Sequence, residues 1–257
     1  MQDADEPAVV ETGQPLRAHG TGILEHGAHR LSFDCDGTIA GQIWGAGYAL
    51  GEMLLRDGLP ERPEVVEVGS GTGIAGLAAA AAGASRVVLT DLPGGVPLLN
   101  ATIQRNAEGV EGAAVLAASL EWGDDAAAAA ACGPSGCDLV LAADVLYSGE
   151  ACVHAALRST LVALAAPRDA RILHAYEERW ADVVALWRSG LESPGAWLRV
   201  ESRIELDAPP AIKGRSLILE ELRVTEEGFS REEAEEAEAS AASLLEASRR
   251  ARTARGF

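Results

Sequence analysis

The sequence predicts an α/β fold in which a doubly wound, mostly parallel sheet ends in an antiparallel hairpin. Between residues 65 and 187, short continuous apolar segments alternate with helical stretches, a pattern typical of parallel strands that are covered by helices on both faces. Near the end, WLRVESRIEL (197–206) and SLILEELRV (216–224) follow one another with no helix between them. We therefore expect these last two strands to pair antiparallel.

The individual elements follow from local patterns. Residues 29–33 alternate polar and apolar side chains as a half-exposed strand does, and 45–56 has apolar residues at helical spacing before a stop at Asp57-Gly58. The later strands are predicted at VVEV (65–68), RVVLTD (86–91), AAVLAASL (113–120), DLVLAAD (138–144) and ARILHAY (170–176). Helices are predicted at 74–82, through Leu99 and Ile103, at 151–164 and at 181–187, with only a loop after 120.

The length of 257 residues suits one folded domain with tails. We predict an N-terminal extension (1–30), the domain (31–226) and a helical C-terminal tail (227–257) in which acidic residues precede arginines. The four cysteines show neither a CxxC pair nor the spacing of a zinc site, so no metal is predicted. Cys132 and Cys137 flank GPSG in what we expect to be a surface loop.

The charge and hydropathy of the chain exclude several classes of partner. The formal net charge is −18, which predicts no nucleic-acid binding because such binding needs a basic face. The longest apolar run, 74–84, is rich in alanine and interrupted by glycines, and the first residues lack the pattern of a targeting signal. We expect no membrane partner and a cytoplasmic location, with the nucleus as an open alternative.

The segment LSFDCDGTIA (31–40) matches the nucleophile motif of haloacid-dehalogenase phosphatases, with Asp34 in the place of the nucleophile. That chemistry needs a buried strand before the nucleophile, a lysine to balance charge and later acids to hold magnesium. The preceding AHRLSF is half polar, and Lys213, the only lysine, is followed by no aspartate. The segment is therefore predicted to be an edge strand and a turn, with Asp34 and Asp36 as turn residues.

A glycine-rich loop follows the first predicted parallel strand in VVEVGSGTGIAGL (65–77). A strand that runs through glycines into a helix exposes bare backbone to a ligand at a helix N-terminus. Two templates fit this loop. Gly71, Gly73 and Gly76 satisfy the GxGxxG of a dinucleotide site, and Glu67, Gly69, Gly71 and Gly73 satisfy the ExGxGxG of methyltransferases that use S-adenosylmethionine.

The two ligands differ in charge, and this difference favours one template. A carboxylate at Glu67 would repel the pyrophosphate of a dinucleotide, whereas it favours the cationic amino group and sulfonium of S-adenosylmethionine. Asp91, twenty residues after Gly71, would serve ribose hydroxyls in either case. The loop thus favours a methyltransferase and leaves a dehydrogenase as the alternative.

Four more segments occur in order around this loop: WGAGYALGEML (44–54), LEWGDD (120–125), LAADVLY (141–147) and HAYEER (174–179). With the loop they resemble the seven-β-strand protein-lysine methyltransferases of the methyltransferase-16 family, over about residues 39–224. The most specific part is DxxY, Asp144 to Tyr147, and one departure is Gly45, where many relatives have an acid. The resemblance implies a Rossmann-like, seven-stranded class I methyltransferase domain with S-adenosylmethionine as cofactor.

The resemblance also implies roles for individual residues. Trp44 and the loop would line the methionine part of the cofactor, Asp91 would hold the ribose, and Trp122 would border the adenine. The implied cofactor-binding residues are Trp44, Glu67, Gly69, Ser70, Gly71, Thr72, Gly73, Asp91, Trp122 and Ala143. The implied catalytic residues, facing the acceptor amine, are Asp144 and Tyr147.

The predicted function is direct, in-line methyl transfer to a lysine of a protein substrate by a monomeric enzyme. A protein histidine or a small amine as acceptor, and a non-catalytic binding protein, remain open alternatives. Because Gly69, Asp91, Asp144 and Tyr176 all end strands, we expect them at one edge of the sheet. Purely structural interpretations also stand. Trp44 and Trp122 could be plain core or loop aromatics, and Tyr147 a packed tyrosine. Asp144 could cap a helix from Glu150, and Glu178 with Arg179 could be an ordinary helix start.

Overall fold

The computed structural model describes residues 14–193, 195–208 and 216–225. The predicted C-terminal tail, Lys213 and the loop at Pro209-Pro210 lie outside these ranges. The helices are α1 (Gly45–Asp57), α2 (Ile74–Ala81), α3 (Val96–Arg105), α4 (Asp125–Cys132), α5 (Ala151–Ala165) and α6 (Ala181–Glu192). The strands are β1 (His19–His26), β2 (His29–Asp36), β3 (Glu64–Val68), β4 (Arg86–Asp91), β5 (Ala114–Ser119), β6 (Leu139–Ala143), β7 (Arg171–Glu177), β8 (Leu198–Glu205) and β9 (Leu217–Val224).

Seven strands form one mixed sheet in the order β5-β4-β3-β6-β7-β9-β8. The strands from β3 to β7 pair in parallel, and β9 pairs antiparallel with both β7 and β8. This arrangement confirms the predicted doubly wound sheet and its antiparallel C-terminal pair. The chain order reverses at β3, so the ligand site of such a sheet belongs at the carboxyl ends of β3 and its neighbours.

Successive residues of the central strands face opposite sides of the sheet and enter two separate cores. Val65 packs among residues of α1, α2 and β2, whereas Val66 packs among residues of α5 and α6. Both side chains have no exposed surface. Neither face of the sheet contacts water, so the sequences of these strands are continuous apolar runs. This is the pattern that predicted a parallel sheet.

A second, two-stranded sheet stands apart from the main one. β1 pairs antiparallel with β2 from His19 opposite Asp36 to His26 opposite His29. Leu24 and Phe33 of these strands are fully buried against the helices on one face of the main sheet. β1 lies inside the segment that the sequence assigns to an extension, and its polar composition conceals this pairing.

The structure also corrects the prediction for Asp34. Asp34 lies within β2 rather than in a turn, and its Oδ2 accepts a hydrogen bond of 2.6 Å from Arg105. Asp36 does begin a turn, since its Oδ1 accepts the backbone N–H of Thr38 at 2.9 Å. Because β2 is outside the parallel sheet, Asp34 does not occupy the position that a phosphatase nucleophile needs.

The segment after residue 120 contains a helix, so the prediction of a loop alone is wrong. Asp124 caps α4 by accepting the N–H of Ala127 at 2.9 Å. The prediction of a surface loop for the neighbouring cysteines is wrong as well. Cys132 and Cys137 are buried, with their sulfur atoms 3.4 Å apart.

Within the described ranges, neither a membrane-spanning helix nor a metal-binding cluster is found. No helix there combines the length and the apolar character that crossing a membrane requires. Histidine, cysteine, aspartate and glutamate side chains nowhere in those ranges come together in a group of three or more that suits a metal ion.

Candidate active site

A cavity of about 400 Å³ opens at the carboxyl ends of β3, β4 and β6. It contains all but one of the predicted site residues: Trp44, Glu67, Gly69, Ser70, Gly71, Thr72, Asp91, Trp122, Ala143, Asp144 and Tyr147. The exception is Gly73, which precedes α2 and does not line the cavity. Residues that the sequence did not single out complete the walls: Ile39, Ala40, Gln42, Gly47, Ile74, Leu92, Leu120, Glu121, Val145, Val153 and Ala156.

The glycine-rich loop needs its glycines for two reasons. Gly69, Gly71 and Gly73 have φ values of 61°, 55° and 78°, a left-handed region that other residues rarely adopt. At Gly71 space is also lacking, because a Cβ atom would lie 2.7 Å from the carbonyl oxygen of Ala40. The backbone before α1 therefore lies directly against the loop.

Glu67 enters the cavity from β3 and is almost fully buried, with 2% of its surface exposed. Its Oε2 accepts the backbone N–H of Gly76 at 3.0 Å. Burial raises the pKa of Glu67 to about 8, against the lowering effect of the Gly76 hydrogen bond, and the charge of Asp91 adds to the rise. At neutral pH the side chain of the free protein is therefore mostly protonated.

Asp91 ends β4 and is held by the loop that it faces. Its Oδ2 accepts the N–H of Gly71 at 2.7 Å, and its Oδ1 accepts the N–H of Leu92 at the same distance. Ser70 ties the loop to β4 from the other side, because its hydroxyl accepts the N–H of Thr90 at 3.0 Å. The carboxylate is thus fixed at the cavity wall.

Aromatic side chains form two further walls. Trp44 occupies the N-cap position of α1 without a side-chain cap, and its indole N–H donates to the carbonyl of Ile39 at 3.0 Å. The rings of Trp122 and Tyr147 lie with their centroids 5.9 Å apart, and Trp122 packs over Gly69. Tyr147 is 54% exposed. These tryptophans are cavity walls rather than core, and Tyr147 stands at the mouth.

Asp144 follows β6 in a left-handed conformation with φ of 59°, which aspartate tolerates better than most residues. Its Oδ2 accepts the N–H of Ala46 at 3.3 Å, and its Oδ1 accepts a hydrogen bond of 2.5 Å from Arg179. Burial raises the pKa of Asp144, while Arg179 opposes the rise. Asp144 does not cap α5, which begins after Glu150 without a side-chain cap.

Arg179 is the residue beside the cavity that the sequence left as an ordinary helix start. It precedes α6, and it links Asp144 to Glu177, whose Oε2 accepts its Nε–H at 3.1 Å. Its guanidinium carbon lies 4.7 Å from the ring centroid of Trp44. The signal that pointed to it was its position in HAYEER, two residues after β7 ends.

Tyr176 lies at the carboxyl end of β7, at the predicted edge of the sheet, but its side chain does not line the cavity. Its hydroxyl donates to Glu220 at 3.0 Å inside the opposite core, beside Trp187. The reason is the alternation of the strand: Ala175 faces the core of α1 and Tyr176 faces that of α6.

The charge of the cavity is one-sided. Four acidic side chains line it, from Glu67, Asp91, Glu121 and Asp144, of which Glu67 is mostly protonated at neutral pH. No lysine, arginine or histidine is among the described residues that line it. Such a site favours a cationic ligand and opposes a pyrophosphate. The dehydrogenase alternative is therefore disfavoured.

A doubly wound sheet of seven strands, with this glycine loop and an acid at the end of the next strand, is the architecture expected of a class I methyltransferase. The family model described as "Lysine methyltransferase" matches residues 28–185, more than half of the chain. The chain belongs to this family, methyltransferase-16, and its cofactor is S-adenosylmethionine.

Individual relatives agree with this membership. The chain is 32% identical to EEF1A lysine methyltransferase 3 of Mus musculus over 110 residues, which are 42% of this chain and 44% of that protein. The chain thus spans less than half the length of this curated relative.

Solved structures show the same fold. One is a Streptococcus mutans protein provisionally assigned as a methyltransferase that uses S-adenosylmethionine, with a TM-score of 0.54 at 14% identity, over 87% of this chain and 57% of that one. Another, provisionally assigned as a methyltransferase and complexed with S-adenosylhomocysteine, gives a TM-score of 0.55 at 13% identity, over 79% of this chain and 56% of that one.

Proposed function

We propose that this protein methylates the side-chain amine of a lysine in a protein substrate. The observation that carries the proposal is the acidic lining of the cavity, which has four acidic side chains and no lysine, arginine or histidine among its described residues. A sulfonium cofactor and a lysine both bring positive charge to the site, and a surplus of carboxylates favours both. The "Lysine methyltransferase" family description supports the same acceptor.

The cofactor side of the site consists of the loop after β3, Asp91 and the two tryptophans. Bound S-adenosylmethionine supplies a methyl group carried on a positively charged sulfur. The residues fit this ligand: bare glycine backbone lets a large molecule approach, and Asp91 is fixed where it would hold the ribose hydroxyls. Trp44 would border the methionine part and Trp122 the adenine. Glu67 becomes charged when a cation lies beside it.

The acceptor side consists of Asp144 and Tyr147. A lysine with its ordinary pKa near 10.4 must lose a proton before it attacks, which costs about 5 kcal/mol at neutral pH. The carboxylate of Asp144 attracts and orients the incoming ammonium, and the exposed ring of Tyr147 offers its π face. Desolvation beside the positive sulfur then lowers the pKa of the amine. The main contribution of the protein is to position the two reactants.

The proposal extends to the partner and the place of action. A chain with a net charge of −18 suits a substrate protein that presents its lysine in a basic segment. We propose a monomer that acts on protein in the cytoplasm, with the nucleus as the alternative, and that uses neither a nucleic-acid nor a membrane partner.

The test is to label a cell lysate with radioactive S-adenosylmethionine and each of three proteins. Wild type and Asp34→Asn should label the same protein on a lysine, whereas Asp144→Asn should incorporate less than about a tenth as much label, because an amide attracts an ammonium poorly. Asparagine is chosen because it tolerates the left-handed backbone at position 144. Label on histidine, or only in small molecules, would contradict the proposal and support the alternative acceptors.

A further inference from the structure

Arg179 occupies an unusual place beside the proposed site. Its side chain is 6% exposed, and it lies between two acids that are buried to the same degree, with side-chain exposures of 5% for Asp144 and 1% for Glu177. A buried arginine between two carboxylates is strongly held, because removing it would leave two unpaired charges in the interior. The guanidinium is therefore a fixed part of the structure.

The same guanidinium contacts the cofactor wall. It lies over the ring of Trp44, 4.7 Å from the centroid, while its Nη2 donates to Oδ1 of Asp144. Trp44 and Asp144 both line the cavity. One side chain thus connects a tryptophan of the proposed cofactor side with the aspartate that is proposed to meet the acceptor amine.

We infer that Arg179 is a positioning residue, which fixes the carboxylate of Asp144 at the acceptor end of the cavity and is itself anchored by Trp44 and Glu177. This inference rests on the proposed function, in which Asp144 meets the acceptor amine. Arg179 does not line the cavity, so it acts through Asp144 rather than on the substrate.

The geometry requires arginine in particular. Its planar fork gives Nη2 to Asp144 and Nε to Glu177 while its face lies on Trp44. An ammonium has no such plane and cannot make the two bonds and the stack together. Lysine at this position should therefore keep the charge and lose the alignment.

The ionisation of Asp144 depends on several neighbours. Burial raises its pKa, Arg179 lowers it and the negative Glu177 raises it. The backbone N–H of Ala46 also favours the ionised form. Among the described residues, the charged and titratable side chains that face Asp144 or share its cavity are Arg179, Glu177, Glu67, Asp91, Glu121 and Tyr147.

A direct test measures the titration of Asp144 without any catalysis. Carboxyl ¹³C NMR of aspartate-labelled protein, with the signal assigned by Asp144→Asn, should show a midpoint about one to three pH units higher in Arg179→Met than in wild type. Arg179→Lys should stay within about one unit of wild type, because it keeps the charge. Arg171→Met is the control, since Arg171 forms a half-exposed ion pair with Glu221 away from the cavity. An unchanged midpoint in Arg179→Met would overturn the inference.

Kinetics test the positioning role separately. Arg179→Met and Arg179→Lys should both lower the rate of label incorporation into the lysate by about 10- to 100-fold, the loss expected from a misplaced catalytic group. Their affinity for S-adenosylhomocysteine, measured by calorimetry, should stay within about threefold of wild type. In the Asp144→Asn background, Arg179→Met should add less than about a threefold loss, because residues that act through one another are not additive. Equal losses in both backgrounds would mean that Arg179 does not act through Asp144.

Two outcomes need an additional measurement: a variant that does not fold, and a wild-type protein that labels no lysine. Should Arg179→Met not fold, the double variant Glu177→Gln/Arg179→Met removes one of the two acids that it leaves unpaired. Its Asp144 midpoint should still lie above that of wild type, by less than in Arg179→Met because Glu177 also raises this pKa. Should wild type label no lysine, the proposed function fails, while the NMR midpoint still decides whether Arg179 controls the charge of Asp144. The two failures are therefore distinguishable.

Discussion

Glu67 and Asp91 lie on neighbouring parallel strands and hold the same glycine-rich segment at two points. Glu67 Oε2 accepts the N–H of Gly76 at 3.0 Å, and Asp91 Oδ2 accepts the N–H of Gly71 at 2.7 Å. The two acids differ in their surroundings, because Glu67 is almost fully buried and Asp91 is half-buried. This difference makes Glu67 the residue whose charge should change when a cationic ligand binds.

The first prediction concerns protons released on binding. The pKa of Glu67 is about 8 in the free protein, so at pH 7 the side chain is mostly neutral and ionises when the cationic cofactor arrives. Calorimetry of S-adenosylmethionine binding at pH 7, in two buffers of different ionisation enthalpy, should show about one proton more released by wild type than by Glu67→Gln. Equal proton release by the two proteins would show that Glu67 does not respond to the ligand.

The second prediction concerns the close contact at Gly71. Gly71→Ala places a Cβ atom against the backbone of Ala40 in a left-handed conformation, so the loop or the segment before α1 must move. Binding of S-adenosylmethionine should weaken at least tenfold, or about 1.4 kcal/mol. Gly112→Ala is the matched control, because nothing lies within 4 Å of its new Cβ, and its binding should match wild type. Normal binding by Gly71→Ala would mean that this contact is not part of the cofactor site.

The third prediction concerns stability at low pH. Glu220 is buried on β9, and burial alone would raise its pKa, but hydrogen bonds from His174, Trp187 and Arg203 outweigh this and lower it to about 2. Because the folded pKa lies below the ordinary 4.5, the stabilisation is complete above pH 4.5 and is lost as the pH falls towards 2. The difference corresponds to about 3 kcal/mol.

Chemical denaturation checks this directly. Glu220→Gln should lower the free energy of unfolding by about 3 kcal/mol at pH 7 and by clearly less at pH 3. Glu221→Gln, next along the same strand, is the control, since its ion pair with Arg171 is partly exposed and should contribute less than about 1 kcal/mol. An equal loss for Glu220→Gln at both pH values would contradict the assigned ionisation.

The fourth prediction concerns the phosphatase-like segment. Asp34, on β2 and outside the parallel sheet, forms an ion pair with Arg105 of α3. Asp34→Asn should therefore keep wild-type methyl transfer and lose no more than about 1 kcal/mol of stability. The wild-type protein should not hydrolyse a phosphate ester in the presence of magnesium. Magnesium-dependent hydrolysis that Asp34→Asn abolishes would restore the phosphatase interpretation.

Much of the fold was predictable because its signals are local. The apolar runs around Val65 and Leu139 require burial on both faces, and Gly58, with φ of 70°, ends α1 where the sequence placed its stop. The position of β9 between β7 and β8 had no such signal, because pairing with a distant strand leaves no trace in either one. The alanine run of α4 has no amphipathic period, so its pattern gave no helix.

In the site, too, the features that short local motifs encode were predictable, and those that depend on distant contacts were not. The glycine loop and the DxxY motif are short, and the structure brings their residues into one cavity, with the exception of Gly73. The partnership of Asp144 with Arg179 joins residues 35 positions apart, and no spacing rule predicts it. The raised pKa of Glu67 follows from burial in three dimensions. Tyr176 ends a strand as predicted, but alternation directs it into the other core.

The identity of the methylated residue tests the central claim most directly. Protein labelled with radioactive S-adenosylmethionine by the wild-type enzyme should be hydrolysed to amino acids, and the label should be identified by chromatography against methylated standards. The account predicts label in N-methylated lysine, with almost none after incubation with Asp144→Asn. Label in methylated histidine, or equal labelling of lysine by Asp144→Asn, would contradict it.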